Sequence, residues 1–232
     1  MATSAEQQLA DRILDWVHKR PAIEVNNTPS RLTSLFSKEK AEYEEVLADP
    51  TVDVSPFRDP RVLEEVGDLI NYAVQIAALL NIDFFSLIGY TDVPTPSNPS
   101  EEIPSHLEHE MKDHLLYTAR VITMCLAHGI DPLPFASLKV DYNDVRFDKS
   151  EFGTDASYKE AYARIKQTEY EIGLKDVLYE QIRWMVSSLE RSKSLPELPY
   201  IFLLPPTDMA STQLISQRPV FAMAQELPIT LK

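Results

Sequence analysis

Residues 62–83 read VLEEVGDLINYAVQIAALLNID. From Leu69 to Ile82 the stretch is apolar on nearly every side, which is the pattern of a buried helix, yet its first turns carry Glu64, Glu65 and Asp68. Pro60 suits the first turn of such a helix, because the amide proton that proline lacks has no partner there in any case. The spacing predicts a helix from Pro60 to Asn81 that places a carboxylate pair, i and i+3, where it enters the core.

The helices on either side follow from the same signals. Residues 5–19 carry Leu9, Ile13, Leu14, Trp16 and Val17 on one broad stripe, and Pro21 ends the helix. A second helix is predicted from Ser30 to Ala48, with Pro50 just past its end. The loop 91–104 holds four prolines, and a fourth helix is expected from Ser105 to His128, stopped by Gly129. Residues 132–155 read as irregular. A long fifth helix is predicted from Ser157 to Lys193, with Gly173 positioned to break or kink it. The remaining residues, rich in proline, read as an arm lying on another surface. The expected fold is all-α: a four-helix-bundle core over residues 1–130, an irregular segment plus an additional helix over 131–193, packed on the core or a partner subunit, and a Pro-rich C-terminal arm over 194–232.

Composition narrows the function. The 232 residues include 5 Gly against 17 Pro, and the formal charge is -14. Such a field repels phosphate backbones and anionic lipid, so nucleic acid and membrane surfaces are not expected partners. No segment reaches the roughly 18–20 continuous apolar residues of a membrane span. The lone Cys125, set in an apolar run, and an amino terminus without a signal-peptide pattern fit a cytoplasmic protein.

The second helix holds Glu39, Glu42, Glu44 and Glu45. At about 100° per residue, Glu39 falls within the stripe formed by Leu32, Leu35, Phe36, Tyr43 and Val46. Glu42 lies on its shoulder, Glu45 further round, and Glu44 faces away. Glu65 and Asp68 share a column with Tyr72 and Leu79. Four ionised carboxylates turned toward one interior repel and desolvate one another, and a divalent cation removes that penalty. Oxygen-only ligands suit Mg²⁺, with Mn²⁺ as the other hard candidate. The alternative is a solvated acidic face paired with Lys38 and Lys40.

KEKAEYEEV at 38–46 followed by LEEVGDLINYA at 63–73 resembles the ExxE…ExxD signature of the all-α NTP pyrophosphatases, the superfamily of MazG-like proteins, dimeric dUTPases and phosphoribosyl-ATP pyrophosphohydrolases. The resemblance covers residues 31–88 and implies a four-helix core in which the motif helices hold Mg²⁺ against a nucleoside triphosphate, hydrolysed to the monophosphate and pyrophosphate. It implies metal ligands Glu39, Glu42, Glu65 and Asp68. Glu42 and Glu45 also form ExxE, so Glu42 pairs with either Glu39 or Glu45; Glu45 is then an extra ligand or a base that orients water, with Glu42 beside it as the second catalytic carboxylate. Lys38 and Arg61 are candidates to approach the phosphates, and Asn71 to support the metal shell or touch the nucleoside. A homodimer or homotetramer is expected.

Other constellations are weaker. EMKDHLLYTA at 110–119, followed by GID, echoes the third helix's EVGDLINYA followed by NID, and Glu110 with Asp113 would mark a degenerate second site; the histidines of HLEHEMKDH also have spacing for a transition metal. Tyr158, Tyr162, Tyr170 and Tyr179 stand at helical spacing, for packing or for stacking a base. The competing function is a non-catalytic helical interaction module that uses the acidic face and the C-terminal arm for a protein partner.

Overall fold

Proline stands in the first turn of four of the eight α-helices among the described residues. A computed structural model describes residues 3–52, 55–90, 92–93, 103–147 and 158–194, with side chains omitted at 158–161 and 190–194. Among the described residues the chain is all-helical. α1 (Ser4–His18) starts in a capping box in which the Thr3 side chain accepts from the Glu6 amide while Glu6 reaches back to the Thr3 amide. α2 (Pro21–Asn26) is one short extra turn after α1. α3 (Pro29–Ala48) is capped by Thr28, and α4 (Pro60–Leu79) by Asp59, whose carboxylate accepts from the Arg61 amide at 2.9 Å. α4 ends two residues before the sequence pattern suggests. Asn81 adopts φ 54° there, the left-handed conformation that asparagine tolerates better than most residues.

α5 spans Ser105–Ala127, with Gly129 at φ 73° just beyond it. The next element corrects the reading of residues 132–155 as irregular: Leu133–Arg146 forms α6. Its Pro134 lies in the first turn, where a missing amide proton is harmless, and the Asp131 carboxylate accepts from the Leu133 amide at 3.0 Å. α7 (Tyr158–Glu171) and α8 (Leu174–Ser194) replace the single long fifth helix. Gly173 sits between them at φ 63°, which breaks the helix at the position the sequence marks. The expected arm after residue 194 lies outside the described residues.

α4 is the centre of the molecule, packed against α1, α3, α5, α6 and α8. Leu63, Val66, Leu69, Ile70, Ala73 and Ile76 along it are fully buried, and each large aliphatic side chain so buried contributes about 1.5–3 kcal/mol. α6 belongs to this packing as fully as α3 does. A Cβ built on Gly67 would stand 3.3 Å from the Lys139 Cβ and 3.4 Å from the Phe135 carbonyl oxygen, so glycine is what lets the two helices approach. Cys125 is buried within α5. No helix among the described residues is long and apolar enough to cross a membrane.

Candidate functional site

α3 and α4 turn their acidic residues toward each other across a cavity of about 430 Å³ that α1, α2, α6, α7 and α8 complete. Glu39 and Glu42 come from successive turns of α3 and Glu65 from the first turns of α4; one carboxylate oxygen of each lies within 4.8 Å of the other two. Glu65 is 6% exposed, and its Oε2 is buried without a hydrogen-bond partner. Burial, then Asp68 and Glu42, raise the Glu39 pKa from 4.5 to about 8. Burial, then Asp68 and Glu64, raise Glu65 to about 8 as well. These groups hold protons at neutral pH unless a cation replaces them. Glu42 sits at the mouth with Lys38, 2.9 Å away.

Asp68 has a different partner. Its carboxylate is 2.8 Å from the Lys139 ammonium, which also lies 2.6 Å from Glu64. Lys139 is 3% exposed. Burial alone would lower its pKa, but Asp68 and Glu64 reverse that effect and hold it well above the ordinary 10.5. Glu64 also meets Lys175 at 3.2 Å and accepts from the Tyr179 hydroxyl at 2.8 Å. Burial pushes its pKa up, and the two lysines overcome that and take it down to about 2. A second ionic group lies behind: Arg146 is 3.0 Å from Glu169, which also accepts from the Tyr142 hydroxyl.

Lys38, Glu39, Glu42, Glu65, Asp68 and Asn71 line the cavity. Glu45 does not; it is exposed on α3, and the neighbour the structure gives Glu42 in the cluster is Glu39. Arg61 does not line the cavity either. Its guanidinium is 2.8 Å from both Asp49 and Asp59, where it ties the start of α4 to the end of α3. Glu110 and Asp113 are exposed on α5, and His114 is stacked on Phe36 with ring centroids 4.2 Å apart. Among the described residues, Glu39, Glu42 and Glu65 are the group of three with metal-ligand geometry. Tyr162 reaches the cavity and stacks on Phe147, whereas Tyr170 is exposed.

The residues absent from the sequence reading, Lys139, Arg146 and Lys175, come from the helices that close the cavity. For Lys139 a signal existed. In a helix over 133–146, Phe135, Ala136, Lys139 and Tyr142 share a face at i, i+3/i+4 spacing, which puts a lysine among core residues.

No family model, curated protein or solved structure matches this chain. The site therefore rests on its own chemistry. Three converging carboxylates, one with an unsatisfied buried oxygen and no cysteine or histidine beside them, fit a hard divalent cation. The lysines and arginine across the cavity fit the anionic group that such a cation would accompany.

Proposed function

We propose that the chain is a Mg²⁺-dependent nucleoside triphosphate pyrophosphohydrolase, with a helical core of the all-α NTP pyrophosphatase type, that releases the monophosphate and pyrophosphate. The observation that carries this is the convergence of Glu39, Glu42 and Glu65 on a cavity that also presents buried cations. A stability role does not explain it, since two raised carboxylates and an unpaired oxygen weaken the apo-protein. The same geometry supports Mg²⁺, or Mn²⁺ in its place, held by Glu39, Glu42 and Glu65.

When bound, the ion neutralises charge on the phosphate oxygens. The remaining work belongs to the side chains. Lys139, fixed by Glu64 and Asp68, and Arg146, fixed by Glu169, are positive charges whose placement precedes substrate binding, which suits stabilisation of charge that develops during transfer. Lys166 and Lys175 are exposed where they line the same cavity and can follow the phosphates. On this reading Glu42 ligates the ion through one carboxylate oxygen, and its other oxygen takes the proton from an attacking water. Asp68 then orients Lys139 and joins the ligand set only if Lys139 yields it. Assembly into a homodimer or homotetramer is part of the proposal; Trp184, 68% exposed on α8, is one of several exposed apolar side chains available to it.

The test is pyrophosphate release from a panel of nucleoside and deoxynucleoside triphosphates with Mg²⁺. Glu65→Gln, which keeps the shape and removes the charge, is expected to lower kcat/KM by about 10²–10³-fold with unchanged circular dichroism. Turnover that survives Glu65→Gln refutes the site. No turnover on any nucleotide refutes the enzyme and leaves the helical interaction module.

A further inference from the structure

The resemblance read from the sequence makes Asp68 a metal ligand beside Glu39, Glu42 and Glu65. The structure sets it apart from them. The carboxylate oxygens that lie within 4.8 Å of one another belong to Glu39, Glu42 and Glu65, whereas the Asp68 carboxylate is 2.8 Å from the Lys139 ammonium. Glu64, one turn earlier on α4, lies 2.6 Å from the same nitrogen. A cation therefore already stands between this second pair of carboxylates, and it belongs to the chain.

Packing holds Lys139 in that place. The nitrogen lies over the Tyr142 ring, 4.9 Å from its centroid. At the other end of the side chain, the Lys139 Cβ is 3.3 Å from where a Cβ on Gly67 would stand, so the stem starts in close contact with α4. To leave, the ammonium would break two charged contacts and strand two buried carboxylates, which is strongly unfavourable. Charge argues the same way. Glu64 also meets Lys175 at 3.2 Å, so Glu64 and Asp68 face two ammonium groups and the set sums to zero. Glu39, Glu42 and Glu65 carry a surplus once ionised: Lys38 meets Glu42 at 2.9 Å, and the Glu65 Oε2 is buried without a partner. A divalent ion is drawn to the surplus and not to the neutral set.

We infer that Lys139 fills the place that a second metal ion would take between Glu64 and Asp68, so that the chain binds one divalent ion and Asp68 positions Lys139 instead of ligating metal. The inference rests on the metal-dependent pyrophosphohydrolase reading for the first ion. In two-metal sites both ions clamp reacting oxygens, and either can carry a water. An ammonium supplies fixed positive charge but only donates hydrogen bonds. Activation of the attacking water then falls to the single ion and Glu42, while Lys139 contributes charge alone.

Calorimetric titration with Mn²⁺ alone, above the pH of about 8 at which Glu39 and Glu65 give up their protons, tests the inference. The wild type is expected to take up one ion per chain. Glu65→Gln, which removes a ligand, is expected to weaken that ion about 100-fold or more, and Asp68→Asn, which leaves Lys139 paired with Glu64, by less than about ten-fold. Lys139→Ala opens the gap between Glu64 and Asp68 and is expected to raise the count to two ions, with a larger Mn²⁺-induced rise in Tm than the wild type shows. Two ions on the wild type, or an Asp68→Asn loss equal to that of Glu65→Gln, overturns the inference, as does a folded Lys139→Ala that still takes one. If Lys139→Ala does not fold, the wild-type count and the Asp68→Asn affinity decide alone. The two failures are separable: two ions, or ligation by Asp68, leave the enzyme standing and remove this role of Lys139, whereas no Mn²⁺ bound by the wild type removes both.

Discussion

Lys139 is the residue on which the largest energetic consequence turns. It is enclosed with Glu64 and Asp68 at hydrogen-bonding distance, and loss of one partner of a buried ion pair leaves an uncompensated charge that costs about 3–5 kcal/mol. Lys139→Met is therefore expected to lower the unfolding free energy obtained from urea titration by an amount of that order, and the double variant Lys139→Met/Asp68→Asn to recover a large part of it. A Lys139→Met protein with unchanged urea stability would show that the pair is not formed in solution. The carboxylates were readable in the sequence because a helical stripe is a matter of spacing: Glu39 falls among Leu35, Phe36 and Tyr43 whatever lies opposite. Lys139 was not readable in the same way. Its burial depends on a helix that two prolines disguise, and on acids some seventy residues earlier in the chain that periodicity does not connect to it.

At the scale of elements, proline and glycine did most of the signalling, and they also account for what was missed. Pro21, Pro50 and Gly129 bound helices where the pattern of apolar residues runs out, so α1, α3 and α5 follow the sequence closely. In α6 the prolines at 132 and 134 read as loop, although a proline in the first turn starts a helix as readily as it ends one. Which of the two applies depended on whether Phe135, Leu138 and Tyr142 had a surface to pack on, and α4 provides it. Gly173 makes a prediction at this scale. With φ at 63° and no atom nearer than 3.6 Å to a built Cβ, Gly173→Ala meets backbone strain alone, so thermal unfolding should report a loss of about 1–2 kcal/mol, with Gly173→Asn less affected. Gly67 is the opposite case, with a helical backbone and little room. Gly67→Ala gains about 1 kcal/mol of helix propensity against a tight contact with Lys139 and should be near neutral, while Gly67→Val, which forces α6 outward, should lose about 1–3 kcal/mol.

For the whole molecule, the acidic cluster links stability, pH and metal. Glu39 and Glu65 titrate near 8 in the folded chain against 4.5 when unfolded, so between those values the folded state holds protons that the unfolded state has released. The stability of the ion-free protein should thus fall as pH rises from 4.5 to about 8. On the proposed reading Mg²⁺ would compete with those protons, and at 100 times its Kd would add about 2.7 kcal/mol. The Mg²⁺-induced rise in Tm is therefore expected to be small at the acidic end of that window and large at the basic end; a rise independent of pH would show that these carboxylates are not its ligands. One contact at the opposite wall of the cavity has a consequence in time. Arg20, 1% exposed, donates to the Trp16 and Phe147 carbonyls and to the Asp144 carboxylate at 2.7–3.0 Å. These bonds hold the end of α1 to the end of α6 across 124–127 residues of chain. At roughly 5–20 residues per second of synthesis, the guanidinium waits on the order of 6–25 s on the ribosome before its acceptors exist, so α1, though made first, takes its final place only after α6 has emerged.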